Sequence, residues 1–222
     1  MCGRYSIVSN FEAVRRLFGV NPNLPNWWTP RSNVAPTEDA PGVRLRDGER
    51  ELVQLRWGLV PYWSKDAKIA YSTINAAAET VATKPAFREA FKRRRCLVAT
   101  DGFYEWLKLE GGAKQPYRIV MRDREPFGLA GLWERWKPGG DADPLETFTI
   151  ITTAPNSVCA PIHNRMPVVI APADFDAWLS GAPGSDELLR LFPSEPMEAY
   201  PVSKAVGNVR NKGAELVERM QA

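Results

Sequence analysis

Histidine, paired cysteines and nucleotide-binding motifs are scarce or absent in this chain of 222 residues. The single histidine, His163, excludes zinc sites of the HExxH type and other sites built on several histidines. Cys2, Cys96 and Cys159 are the only cysteines and form no CxxC pair, which argues against a disulfide scaffold or a cysteine-rich zinc site. Neither GxGxxG nor GxxxxGK[ST] occurs, so nucleotide-phosphate binding has no support. We therefore expect no metal and no cofactor.

Long apolar runs and a strong charge of one sign are also missing. No run of 18 apolar residues occurs, so we expect no membrane-spanning helix. The first residues, MCGRYSIVSN, lack a basic segment followed by an apolar one, so we expect a cytoplasmic protein (nucleoid-associated if bacterial). The net charge of +3 permits a polyanionic partner without requiring one. Nothing in the sequence indicates more than a monomer.

The composition is that of an ordinary globular protein, with 44% hydrophobic and 25% charged residues. At this length we expect one domain over residues 1–222, and the spread of 19 prolines and 16 glycines indicates many short elements. The predicted strands are Glu51–Trp57, Arg95–Ala99, Phe103–Leu109, Tyr117–Met121, Phe127–Leu132, Thr147–Thr153 and Pro167–Ile170. The predicted helices are Phe11–Phe18, with a Ser9/Glu12 capping box, Lys84–Arg94, Pro172–Trp178, Ser185–Phe192 and Gly213–Met220. These patterns predict a single α+β domain, mainly of antiparallel strands with peripheral helices.

Cys2 becomes the first residue if Met1 is removed, as expected before a small second residue. It then carries an α-amine, with a pKa of about 7.7–8.0 against about 10.4 for lysine, so roughly a hundredfold more of it is neutral near pH 7.4. That amine can condense with an aldehyde to an imine, and the adjacent thiol can close a five-membered thiazolidine. The alternative is that Cys2 is a small buried apolar residue.

Two residues are candidates for proton transfer. Glu105 lies between Tyr104 and Trp106 in a segment that is apolar on both faces, so its carboxylate is either paired or desolvated with a raised pKa. A raised pKa suits general acid–base work near neutrality. His163 lies in the proline-bracketed loop APIHNRMP and could move protons, although a lone histidine is often structural or merely exposed.

Two arginines are candidates for binding an anion. Arg4 lies two residues after Cys2, so in an extended strand both side chains share a face. We expect Arg4 to hold an anion there and to lower the pKa of the thiol, unless it is a solvated surface arginine. Arg165, in the loop of His163, could grip a phosphate.

Amide and aromatic side chains complete the candidates. Asn75 could orient an amine or a carbonyl through its amide. In WGLVPYW we expect Trp57 in the core, whereas Trp63 is a candidate for stacking on a nucleic-acid base.

The motifs MCGRY, NVAP, WGLVPYW, INAAAET, DGFYEW, PIHNRMP, PVSKAVGN and NKGAEL occur in this order along nearly the whole chain. Together they resemble the SRAP (SOS response-associated peptidase) family of abasic-site processing proteins. The resemblance implies an α+β domain with a largely antiparallel, barrel-like sheet. It also implies that the protein recognises abasic sites in single-stranded DNA and captures them covalently as part of the response to DNA damage.

The resemblance assigns roles to the candidate catalytic residues. Cys2 would be the nucleophile whose amine and thiol form a thiazolidine with the ring-opened sugar. Asn75 would position Cys2 and the sugar, and Glu105 would be the acid–base for ring opening and imine formation. His163 would assist proton transfer, including reversal of the crosslink. The imine would also permit a lyase side reaction by β-elimination of the 3′ phosphate.

The same resemblance implies DNA contacts and exposes two departures. Arg165 would hold a phosphate beside Arg4. Ala77 stands where the family usually has a basic residue, so one phosphate contact is expected to be weaker or to be supplied from elsewhere, by Lys84 or Arg88. Asn164 stands where Asp is common, which could alter the protonation of His163.

Two other functions remain open on the sequence. In the first, Cys2, His163 and Glu105 act as nucleophile, base and orienting group of a thiol peptidase, including self-removal of the initiator. In the second, the chain is a non-catalytic module that binds single-stranded DNA through the two arginines and Trp63.

Overall fold

The computed structural model describes residues 2–21, 23–139 and 142–221. Its strands are β1 (Tyr5–Ile7), β2 (Arg31–Val34), β3 (Asp39–Arg46), β4 (Glu49–Trp57), β5 (Asn75–Ala77), β6 (Arg95–Thr100), β7 (Gly102–Lys108), β8 (Lys114–Met121), β9 (Phe127–Trp136), β10 (Leu145–Thr153), β11 (Met166–Pro167), β12 (Val169–Ile170) and β13 (Met197–Pro201). The α-helices are α1 (Phe11–Phe18), α2 (Arg88–Arg93) and α3 (Phe175–Ser180). Short 3₁₀ helices cover Ala67–Ser72, Glu110–Gly112, Pro172–Asp174, Ser185–Leu188, Lys204–Gly207 and Ala214–Val217. Among these residues no helix has the length and apolar character needed to cross a membrane.

Five strands close into a barrel in the order β10-β4-β3-β6-β9, because β10 pairs with both β4 and β9. The β10–β4 pair is parallel and the other four pairs of the ring are antiparallel. Strand β5 extends the barrel by pairing in parallel with β10. A second, antiparallel sheet has the order β13-β8-β7-β1-β2. The prediction of a mainly antiparallel, barrel-like α+β domain is confirmed.

One large apolar core joins the barrel to the second sheet. It contains Tyr5 and Phe103 from the second sheet together with Leu55, Trp57 and Leu97 from the barrel, all at most 1% exposed. The rings of Tyr5 and Trp57 meet with centroids 5.2 Å apart. Because the two sheets share this core, residues on β1 and β7 hold fixed positions relative to the barrel.

A buried ionic network ties β1 to β7 and β8. Arg118 donates to the Asp101 carboxylate at 2.7 Å and to the Ser6 hydroxyl at 3.0 and 3.2 Å. Asp101 also accepts from the Ser6 hydroxyl at 2.7 Å and from the Ser9 amide at 2.7 Å. A Cβ at Gly102 would lie 2.8 Å from Arg118 Nε, so the turn between β6 and β7 leaves no room for a side chain there. This network fixes the N-terminal strand beside the strand that carries Glu105.

The predicted capping box of α1 is wrong by one residue. Asn10, not Ser9, is the N-cap, and its Oδ1 accepts from the Ala13 amide at 2.9 Å. The Ser9 amide and hydroxyl instead bind the Asp101 carboxylate. Glu12 does not complete a capping box; it forms an ion pair with Arg15 on the helix surface. Ser9 bonds to the Asp101 carboxylate and does not cap the helix, because hydrogen bonds to a charged acceptor are stronger than those to a neutral one.

Three predicted helices are shorter than the sequence indicates. The segment 84–94 is helical only over Arg88–Arg93, after a turn whose Phe87 makes no side-chain cap. The segment 185–192 has one 3₁₀ turn because Ser185 and Asp186 bind the guanidinium of Arg95. The segment 213–220 is also a single 3₁₀ turn, since the chain then extends and the Met220 amide donates to the Pro201 carbonyl. Tertiary contacts override helix propensity in the last two segments.

Candidate active site

Cys2 and Asn75 are in direct contact. Asn75 Nδ2 donates to the Cys2 backbone carbonyl at 2.7 Å, and Cys2 is completely buried. Asn75 opens β5, where it pairs with Ile150 of the barrel strand β10. Among the described residues, Asn75 Oδ1 is buried without a hydrogen-bond partner, so one side of the amide is available to a ligand. The structure thus brings these two predicted site residues together.

The Cys2 thiol is held in its neutral form. Burial raises its pKa far above the usual value for cysteine, and the neighbouring Glu105 carboxyl raises it further. The prediction that Arg4 lowers this pKa is wrong. Burial dominates, and the Arg4 guanidinium turns to Asn33 Oδ1 at 3.0 Å and to the Val206 carbonyl at 2.9 Å.

Glu105 and His163 face each other across the site. Glu105 lies on β7 and is 3% exposed, and this burial raises the pKa of its carboxyl to about 8. Its Oε2 lies 3.9 Å from His163 Nε2. Burial also lowers the pKa of His163. At neutral pH the carboxyl is therefore largely protonated and the imidazole is neutral.

The backbone of Arg165 fixes the orientation of the His163 ring. His163 Nδ1 lies 3.0 Å from the Arg165 amide nitrogen and 3.2 Å from the Arg165 carbonyl oxygen. Nε2 is the ring nitrogen that faces Glu105. The turn itself is anchored by the buried Asn156, whose Oδ1 accepts from the amides of Val158 and Cys159.

Cys159 is a second thiol at the site that the sequence did not indicate. It is buried, and its carbonyl accepts from the His163 amide at 2.9 Å. Burial raises the pKa of this thiol and the Glu105 carboxyl adds to the effect, which places Cys159 within electrostatic range of Glu105. Its apolar neighbours in the sequence predict only burial, because the fold alone brings residue 159 near the N-terminal strand.

Arg165 is engaged by protein groups. Its Nη1 and Nη2 bind the two oxygens of Glu79 at 2.7 and 2.9 Å, and Nη2 also donates to the Thr152 carbonyl at 2.6 Å. Bonding to Arg165 lowers the pKa of Glu79. Glu79 was not among the predicted site residues, although it lies in the same INAAAET motif as Asn75. Arg4 and Arg165 are held by different parts of the fold.

The two tryptophans of WGLVPYW differ in solvent exposure as the sequence predicts. Trp57 is fully buried and its Nε1 donates to the Ile74 carbonyl. Trp63 is 49% exposed, with the exposed Tyr62 beside it and the exposed Tyr71 at the end of the following segment. The surface after β4 therefore presents several aromatic faces.

Metal ligands are not grouped in the described part of the chain. No set of three or more His, Cys, Asp and Glu side chains there is arranged to hold a metal ion.

Comparison with known proteins identifies the family of the chain. Residues 1–209 match the family model described as SOS response associated peptidase (SRAP). The chain belongs to the SRAP family. Among the relatives of this SRAP chain, the abasic site processing protein YoqW of Bacillus subtilis is 39% identical, covering 98% of this chain and 99% of the relative. The abasic site processing protein YedK of Escherichia coli is 32% identical over 98% and 99% of the two chains.

A solved structure shares the SRAP fold. A crystal structure of a protein from Bacteroides thetaiotaomicron superposes with a TM-score of 0.88 at 28% identity, covering 99% of this chain and 100% of the other.

Of the two departures noted in the sequence, Ala77 ends β5 and pairs with Thr152, and Asn164 is an exposed residue between His163 and Arg165.

Proposed function

We propose that this SRAP protein captures abasic sites in single-stranded DNA by forming a thiazolidine at Cys2. The observation that carries the proposal is the placement of Cys2 against Asn75, beside the Glu105–His163 pair. The names of the relatives YoqW and YedK, both abasic site processing proteins, support abasic DNA as the partner. Met1 lies outside the described residues, and the proposal requires its removal.

The capture is a condensation. The neutral α-amine of Cys2 attacks the aldehyde carbon of the ring-opened deoxyribose and forms a carbon–nitrogen bond. The resulting carbinolamine loses its hydroxyl as water and becomes an imine. The thiol then adds to the imine carbon, forming a carbon–sulfur bond while its proton passes to the nitrogen. One water is released overall, and no oxidant, reductant or metal is needed.

Glu105 is the acid for the loss of water. A carboxyl whose pKa is about 8 is largely protonated at neutral pH, so it can donate to the leaving hydroxyl. The carboxylate that remains can accept the thiol proton during ring closure. This acceptor matters because burial holds the resting thiol in its protonated form.

His163 and Asn75 orient the reacting groups. His163 directs Nε2 toward Glu105 and can exchange a proton with a sugar oxygen, including during reversal. Asn75 holds the Cys2 carbonyl, and its Oδ1 can accept from the α-amine or a sugar hydroxyl. Holding the nucleophile and the aldehyde together lowers the entropic part of the barrier.

A lyase reaction competes with ring closure. While the adduct is an imine, the adjacent carbon is acidified and can lose a proton, which expels the 3′ phosphate by β-elimination. Addition of the thiol removes the imine and stops this route. The proposal therefore predicts more strand cleavage when the thiol is absent but the amine remains.

Contacts to the strand come from the arginines and the exposed aromatic residues. Arg4 uses Nε and Nη1 for protein acceptors, which leaves Nη2 without an acceptor among the described residues and suited to a phosphate. Trp63 provides a face on which a base can stack. Arg165 is the second phosphate contact that we propose.

The thiol peptidase is the weaker candidate on chemical grounds. Peptidases of this class use a thiolate whose pKa is lowered, whereas burial raises the pKa of the Cys2 thiol.

The test of the proposed capture is to block the α-amine with one retained residue before Cys2 and to incubate the protein with abasic single-stranded DNA. Loss of the heat-stable adduct supports thiazolidine capture. Persistence of the adduct contradicts it, and binding that ignores the abasic site favours a non-catalytic module.

A further inference from the structure

The Arg165–Glu79 pair occupies the surface at which a phosphate would bind. The two guanidinium nitrogens and the two carboxylate oxygens form a bidentate contact, the geometry that arginine also offers to a phosphodiester. Glu79 is about half exposed and Arg165 about one quarter exposed, so the pair lies at the rim of the site. Resting on the proposed function, we propose that Glu79 is an intramolecular competitor of DNA phosphate for Arg165.

The surrounding contacts anchor the arginine rather than the glutamate. Arg165 Nη2 donates to the buried carbonyl of Thr152 at 2.6 Å, and the Arg165 amide is bonded to His163. Glu79 follows the short strand β5 on the rim of the site. Departure of the carboxylate would thus leave the guanidinium in place, aimed outward beside the turn that carries His163.

The strength of the pair suits exchange. A partly exposed ion pair of this kind changes an equilibrium constant by at most about fivefold. A phosphate in a DNA strand that also contacts the protein at other points can displace Glu79 from Arg165. A phosphate with no other contact to the protein gains little binding free energy at Arg165. Glu79 therefore weakens the non-covalent binding of the protein to DNA. Lasting attachment of the protein then depends on the covalent adduct.

Salt dependence separates competition from positioning. The Arg165–Glu79 pair is partly exposed, so salt screens it and its competition with a phosphate weakens as the salt concentration rises. Glu79→Gln should therefore tighten binding most at low salt and steepen the slope of log affinity against log salt.

The experiment measures reversible binding of a fluorescent single-stranded oligonucleotide to Cys2→Ala protein across a salt series. Glu79→Gln should tighten binding roughly two- to fivefold at low salt and steepen the slope. The matched control is Glu12→Gln, which removes the same charge from an exposed bidentate pair with Arg15 on α1 and should change neither quantity.

The same measurement in Arg165→Ala protein tests whether the effect of Glu79→Gln depends on Arg165. In that protein, Glu79→Gln should lose most of its effect on DNA affinity. Unchanged or weaker binding by Glu79→Gln would overturn the inference, because Glu79 would then only position Arg165. An equal gain in both backgrounds would also overturn it, since Glu79 would act only as a diffuse negative charge. Absence of DNA binding by every variant would instead overturn the proposed function itself.

Discussion

The Glu105 carboxyl and the His163 imidazole lie 3.9 Å apart although the segments that carry them are attached to different sheets. Glu105 lies on β7 of the second sheet, and His163 lies on the turn that follows the barrel strand β10. Cys2 precedes β1 of the second sheet, whereas Asn75 belongs to β5, which pairs with the barrel. The site is therefore assembled across the junction of the two sheets, and the core that joins them sets its geometry.

Glu105→Gln should change the pH dependence of capture. The rate should rise as the α-amine deprotonates around its pKa of about 7.7–8.0 and fall as Glu105 deprotonates around its pKa of about 8, which gives a narrow optimum. Glutamine cannot transfer the proton, so the rate at the optimum should drop about 10²–10⁴-fold and the descending limb should disappear. Single-turnover kinetics between pH 6 and 10 measure both effects. A descending limb that survives in the variant would assign it to another group.

The Glu105 carboxyl also makes the free energy of unfolding depend on pH. Because folding raises the pKa of Glu105 from its ordinary 4.5 to about 8, the folded state holds its proton more tightly than the unfolded state. Its contribution is favourable below about pH 4.5 and is progressively lost as pH rises toward about 8. Glu105→Gln should thus become more stable relative to wild type as pH rises through this window. Urea unfolding of both proteins at pH 5 and pH 9 tests this, and a constant difference would contradict it.

Asn75→Asp should slow capture while leaving the chain folded. The substitution replaces the amide donor to the Cys2 carbonyl by a carboxylate oxygen that repels it. Loss of a buried hydrogen bond of this kind costs about 1–3 kcal/mol, which predicts a rate about 5- to 150-fold lower. The control is Asn10→Asp, because aspartate caps a helix as well as asparagine does. Equal capture rates for the Asn75 variant and the control would remove Asn75 from the mechanism.

Asp101→Asn should destabilise the fold strongly. It removes one partner of a fully buried ion pair and leaves the Arg118 guanidinium without its counter-charge. Breaking such a pair costs about 3–5 kcal/mol, measured as the free energy of unfolding in urea. The surface substitution Glu12→Gln should leave the unfolding midpoint in place. A small effect of Asp101→Asn would show that the hydrogen bonds of the Asp101 side chain, and not its charge, secure the N-terminal strand.

Trp63→Ala should weaken binding of single-stranded DNA without loss of stability. Stacking of one base on an aromatic side chain contributes about 1–3 kcal/mol, so affinity should fall about 5- to 150-fold in a Cys2→Ala background. Leu191, which is exposed to the same 49%, provides the matched control as Leu191→Ala. Unchanged affinity for Trp63→Ala would place the strand elsewhere on the surface.

Part of the candidate site could be predicted from local sequence. The apolar neighbours of Glu105 indicate burial, and burial does raise its pKa. This inference succeeds because it depends on residues adjacent in the chain. The position of His163 opposite Glu105, in contrast, depends on the fold.

Long-range relationships could not be read in this way. Cys159 and Glu79 join the site only because β10 and β5 lie side by side and bring distant segments together. The same limit applies to five strands that are absent from the predicted ones, namely β1, β2, β3, β5 and β13. Pro41 and Gly42 lie inside β3, and a Cβ at Gly42 would lie 2.9 Å from Leu55, so close strand approach requires a residue that local patterns treat as a breaker.

The most direct test of the account is the intact mass of the protein after incubation with a short single-stranded oligonucleotide that contains one abasic site. The account predicts an adduct equal to the sum of protein without Met1 and oligonucleotide less one water. It should resist borohydride, because a closed thiazolidine offers no imine to reduce, and Cys2→Ala should not form it. An adduct of Cys2→Ala that likewise resists borohydride, or no adduct with wild-type protein that has lost Met1, would contradict capture through Cys2.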